Sequence, residues 1–103
     1  MIKGTTPVLK YTLPFDTSEV RNAEIVLQYV DNAKTVTIER TFEECTVGER
    51  DISAVLTQEE TLALPAPAIA RVQLRILTID DLALATEPKE IKIKELLKES
   101  VIE

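Results

Sequence analysis

The sequence predicts an all-β chain folded as an antiparallel sandwich of about seven strands, and three observations lead there. Apolar residues alternate with polar ones in short runs, as in Ile25, Leu27 and Tyr29, in Val36 and Ile38, and in Val72, Leu74 and Ile76. This period of two is that of half-buried strands. The runs are separated by a few residues of turn chemistry, and no apolar pattern is long enough for a crossover helix. One short helical turn near 57–63 interrupts them: Thr57 stands three residues ahead of Glu60, the spacing of a capping box.

The first strand is expected over Gly4 to Leu13, where Leu9, Tyr11 and Leu13 alternate with Lys10 and Thr12 and Pro14 ends the run. Phe15-Asp16-Thr17-Ser18 reads as a turn, with Asp16 or Thr17 capping a short helical turn through Val20 and Phe15 packing beneath it. Ala23 to Val30 and Thr35 to Phe42 form a hairpin around Asp31-Asn32-Ala33-Lys34, because Asp and Asn tolerate left-handed backbone. Glu43 to Arg50 is a connection around Gly48 with room for a very short strand, and Asp51 to Leu56 follows as a strand with Ile52, Ala54 and Leu56 aligned. Beyond Pro65-Ala66-Pro67 a long strand runs from Ala70 to Ile79. Asp80-Asp81 turns it into Leu82 to Thr86, where Ala83 and Ala85 are expected to let the opposing sheet approach. Pro88 breaks or bulges the last strand, which continues through Ile91 and Ile93 to Glu95, with Lys92 and Lys94 protecting an edge. Residues 96–103 form a short tail, helical or loose, since Ile93, Leu97 and Val101 fall four apart. No repeat, linker or low-complexity tract interrupts residues 1–103, so they read as one domain.

Composition narrows the function classes. The chain is 45% hydrophobic but only 4% aromatic and has no Trp, so the core is aliphatic and sugar- or base-stacking platforms are disfavoured. A net charge of −6 argues against nucleic acid and against an anionic membrane surface as partners. No apolar run approaches the ~20 residues that span a bilayer, and the opening residues lack the apolar stretch of a signal peptide. The single Cys45 fits a reducing compartment.

No catalytic constellation is legible. The chain has no His, which removes the commonest general base and zinc ligand. Glu43 and Glu44 beside Cys45 raise its thiol pKa and disfavour a nucleophilic thiolate, leaving Cys45 as a half-buried loop residue. The carboxylate pairs Glu43-Glu44, Glu59-Glu60 and Asp80-Asp81 read as solvated turn residues, without the spacing of a calcium loop or of facing glycosidase acids. With Gly4 and Gly48 alone there is no phosphate loop. Arg40, Arg71 and Arg75 read as sheet-face charges with cross-strand acidic partners. No metal, no cofactor and no enzymatic activity are expected. The residues left for function are the apolar ones of the tail, Leu96, Leu97, Val101 and Ile102, as a docking element. Packing back onto their own sandwich is the alternative for them.

Read end to end, Gly4-Thr5-Thr6-Pro7, Leu13-Pro14-Phe15-Asp16-Thr17, Leu56 to Leu62 and Val72 to Thr78 with Ala83 and Ala85 resemble short prophage-encoded proteins of Gram-positive bacteria, found among tail and baseplate genes. The strand layout is similar to the N-terminal immunoglobulin-like domain of phage baseplate upper proteins. The chain departs from that pattern at Asp81, at Pro65-Ala66-Pro67 and in its Lys-rich, acidic tail. The resemblance implies an immunoglobulin-like sandwich and a structural or adaptor role through protein–protein contacts. Its partners would be other phage structural proteins or further copies of itself, and its place the bacterial cytoplasm during assembly, with the virion as the end point. A module binding carbohydrate on a host surface is the second reading.

Overall fold

The computed structural model describes all of residues 1–103 and contains two antiparallel sheets. The smaller has the order β1-β5-β4, from Val8–Thr12, Asp51–Val55 and the two-residue Thr46–Val47. The larger has the order β3-β2-β6, with β7 and β8 both paired to the far side of β6. Its strands are β2 (Val20–Asp31), β3 (Lys34–Thr41), β6 (Ala68–Thr78), β7 (Ala83–Ala85) and β8 (Lys89–Ile93). The expected all-β sandwich is the fold, with eight strands once the very short β4 is included.

Alternation decides which face is inside. In β2 and β6 the buried residues are Ala23, Ile25, Leu27 and Tyr29, and Ala70, Val72, Leu74 and Ile76. Register stacks them in rows: Ile25 faces Leu74, and Leu27 lies between Val72 and Ile38. From the small sheet Leu9, Ile52 and Ala54 close the core, with Leu56 and Leu64 from the flanks of the helical turn. The core is aliphatic, as composition requires, and one aromatic, Tyr29, is fully within it.

Local chemistry builds the connections. The β2–β3 hairpin closes on Asn32 and Ala33, both left-handed (φ 50° and 64°), the mirror-image turn that matches strand twist. Asp16 caps the 3₁₀ turn Thr17–Glu19, its Oδ1 accepting from Ser18 N at 2.8 Å, and Phe15 packs half-buried against the core. The helix α1 is Gln58–Leu62. Thr57 Oγ1 accepts from Glu60 N at 3.1 Å and Glu60 Oε1 from Thr57 N at 2.9 Å, so both halves of the expected capping box form. Inside that turn Thr61 is wholly buried and its hydroxyl donates to the Thr5 carbonyl at 2.7 Å. Pro88 separates β7 from β8, which take successive stretches of β6 as partner.

Three expectations need correction. The first strand begins at Val8 rather than Gly4, because Gly4 adopts φ 77° to turn the chain. Phe42 opens a 3₁₀ turn, Phe42–Glu44, rather than ending β3. Ala83 and Ala85 do not meet the opposing sheet: they pair with Leu77 and Arg75 on the outer face, and Leu84 shares the inner parity of Ile76. Of the two forms left open for the tail, the loose one is present, since Ile93, the first residue of the four-apart stripe, is buried in β8 and points into the core.

Candidate functional site

The tail leaves β8 beside the N-terminal segment, which runs parallel to it. Lys94 N donates to the Met1 carbonyl at 2.7 Å, and Lys3 N donates to the Lys94 carbonyl at 3.1 Å. Gly4 makes the close crossing possible. A Cβ there would stand 2.7 Å from Leu96 Cδ2 and 3.0 Å from Leu62 Cδ2. Leu96 is therefore held half-buried against the N-terminal turn and α1, on the sandwich side.

Two further ties hold the remainder of the tail. The Lys3 ammonium, almost buried, meets Glu99 Oε1 at 2.5 Å. The Gln58 side-chain amide pairs with the Ile102 main chain, donating to its carbonyl at 3.2 Å and accepting from its N–H at 3.0 Å. Between these anchors the remaining apolar side chains face out: Leu97 is completely exposed, Ile102 81% and Val101 38%. Of the four residues singled out in the sequence, one packs inward and three are presented to solvent along an anchored backbone. Composition hinted at neither Lys3 nor Gln58 as an anchor, because both act at a distance in sequence.

Charged side chains elsewhere pair across strands or between elements. Arg75 Nη1 meets Glu24 Oε1 at 2.7 Å on the outer face of the large sheet, where the two residues are directly opposite. Arg40 is not on that face. It lies opposite Ile25, points inward, and bonds both Glu60 Oε1 and the Val55 carbonyl. It thereby ties β3 to α1 and β5. The Arg40 guanidinium holds the Glu60 carboxyl below the usual range, with the Thr57 main chain adding to the effect. Cys45 caps the 3₁₀ turn at Phe42–Glu44, and burial, then Glu44, pushes its thiol up, away from the reactive thiolate. The Tyr11 hydroxyl points towards Thr86 without a hydrogen bond of good geometry, and burial raises its pKa.

Two open grooves mark the surface. One of about 580 Å³ lies over β2, β6 and β7, among Asn22, Phe42, Arg75, Leu77 and Leu84. The other, about 640 Å³, follows the β6–β8 edge between Ile69 and Lys92. No three His, Cys, Asp or Glu side chains converge as metal ligands. No helix is long and apolar enough to cross a membrane. Compared with known protein families, characterised proteins and solved structures, the chain matches none.

Proposed function

We propose that this chain is a non-catalytic structural or adaptor protein of a phage tail or baseplate, acting through protein–protein contacts. The observation that carries the contact role is the tail, whose backbone is pinned at Leu96, Glu99 and Ile102 while Leu97 and Ile102 hold their side chains in water. Exposed single hydrophobics are ordinary. Apolar side chains on an anchored segment are different: ordering the chain has already been met by folding, so a partner gains their burial without paying that entropy again. The phage setting comes from the resemblance of Gly4–Pro7, Leu13–Thr17, Leu56–Leu62 and Val72–Thr78 to prophage tail-region proteins. On this reading the protein is made in the bacterial cytoplasm and ends in the virion.

The test is mass spectrometry of purified particles after induction of the source prophage, with wild type and a Leu97→Ser/Ile102→Ser variant. Stoichiometric wild-type protein in particles, and loss of the variant from them, is the expected result. Abundant wild-type protein in the lysate but none in particles overturns the structural role.

A further inference from the structure

The large sheet has one long edge, β3, whose charged residues Lys34, Glu39 and Arg40 stand towards its ends and whose middle lacks the protections that the other edges carry. β4 has two residues and β7 three, too short to template a partner. β1 is bounded by Pro7 and Pro14 and turns Lys10 outward. β8 carries Lys89 and Lys92 and is continued by the N-terminal segment at Lys94. β3 is eight residues long, has no Pro, no Gly and no bulge, and keeps unbroken register with β2. Its middle, Thr35-Val36-Thr37-Ile38, carries no charge.

Register says which groups that edge offers. A two-residue hairpin closes on a hydrogen-bonded pair, here Asp31 and Lys34, so the even-numbered residues of β3 bond to β2. The N–H and C=O groups of Thr35, Thr37 and Glu39 then face the open side. Along this row the loop and side-chain bonds add a single acceptance, at the Glu39 carbonyl from Arg40 Nη1 at 3.1 Å.

The molecule also exposes more surface than its mass calls for. It presents 6899 Å², where a monomer of this size presents about 5,800 Å². The surplus, about 1,100 Å², is comparable to the ~800 Å² that each partner contributes to a standard interface. Its radius of gyration, 14.7 Å, likewise exceeds the roughly 13 Å of a compact chain this long.

We infer that β3 pairs antiparallel with β3 of a second copy about a two-fold axis through Thr37, joining the two large sheets into one. A two-fold through the sheet keeps inner faces on the same side, so only even register sums are allowed. Centring on Thr37 sets Val36 against Ile38 of the other copy, twice. These are non-hydrogen-bonded pairs, where side chains approach most closely, and both residues are half-buried on the inner face. Sliding by one step either way sets Ile38 against Lys34 or Val36 against Arg40. In the chosen register Lys34 faces Arg40, whose charge is already matched by Glu60. This surface is separate from the tail, so the inference goes beyond the docking role proposed for Leu97 and Ile102.

Sedimentation velocity of the full chain tests it, with Thr37→Pro and the Leu97→Ser/Ile102→Ser variant alongside. The Thr37 N–H has no partner within the monomer, so the ring should leave the fold intact, checked by circular dichroism. The substitution removes two symmetry-related bonds from the pair and should weaken self-association roughly thirtyfold. Wild type is expected to dimerise, Thr37→Pro to be monomeric, and the tail variant to remain dimeric. Nitroxide labels placed singly at Thr35, Thr37 and Glu39 in a Cys45→Ser background supply a second readout. The inter-label distance should be shortest at Thr37, because labels at 35 or 39 sit four residues apart along the strand, about 13 Å. A wild type that stays monomeric at millimolar concentration overturns the inference, as does a dimer untouched by Thr37→Pro or abolished by the tail substitutions. Particle incorporation bears on the tail reading alone, so the two can fail separately.

Discussion

Replacing Glu60 by Gln isolates one ion pair, which ties β3 of the large sheet to α1. Glu60 Oε1 accepts from Arg40 of β3 and from the Thr57 main chain, while its own N–H is held by the Thr57 hydroxyl. A Gln at this position still completes the capping box, so the loss falls on the charge facing Arg40. At an effective dielectric of about 20, unit charges about 4 Å apart attract by about 4 kcal/mol, of which desolvation and the ordering of two long side chains cancel more than half. The pair is neither on the rim nor deep, with 15% of the Arg40 and 28% of the Glu60 side chain exposed. A coupling of about 1.5 kcal/mol results, between the worth of an exposed pair and that of a charge-assisted hydrogen bond in the interior. For a domain of this length that lowers Tm by about 7 °C. A double-mutant cycle with Arg40→Met and Glu60→Gln, read by urea denaturation, measures it. Arg40 depresses the folded-state carboxyl pKa, so the stabilisation is complete above the ordinary value of 4.5 and is lost as pH falls towards the lower folded value. The gap between wild type and Glu60→Gln should therefore be full at neutral pH and close on acidification below 4.5. Single losses that add within about 0.5 kcal/mol, or a gap that widens in acid, would refute the reasoning.

Two other substitutions probe left-handed backbone, at Ala33 and at Gly4. Ala33 sits at φ 64° in the β2–β3 turn, where a Cβ costs about 1 kcal/mol, so Ala33→Gly should raise Tm by several degrees; a lower Tm in thermal melts contradicts the turn assignment. Gly4→Ala meets both the φ of 77° and the Leu96 and Leu62 side chains. It should cost about 2 kcal/mol and release the tail, seen as faster amide exchange at Ile102. Unchanged exchange there would mean that Leu96 does not anchor the segment.

Much of the fold was legible because its signals are local. Alternation in Ile25-Leu27-Tyr29 and Val72-Leu74-Ile76 assigns strand and buried face together, since a strand has only two faces. The Thr57/Glu60 box declares its helix because the groups that cap it lie three residues apart. Where two patterns overlapped, local reading left two forms open: Ile93, Leu97 and Val101 share helical spacing, but Ile93 belongs to β8, and a residue buried in a strand cannot also begin a helix. Ala83 and Ala85 misled for a related reason, as small size says nothing about which parity the pairing of Ile76 with Leu84 will impose.

By itself, then, the chain determined its strands, its turns, the aliphatic make-up of its core and the apolar residues of its tail, all properties of neighbours within a few positions. Only the tertiary structure decided that Arg40 turns inward to Glu60, that Leu96 packs while Leu97 and Ile102 do not, and that β3 is left as the open edge. Those outcomes depend on which strands become neighbours. Pairing is chosen by the summed burial of whole faces, and no single residue or short spacing carries that sum.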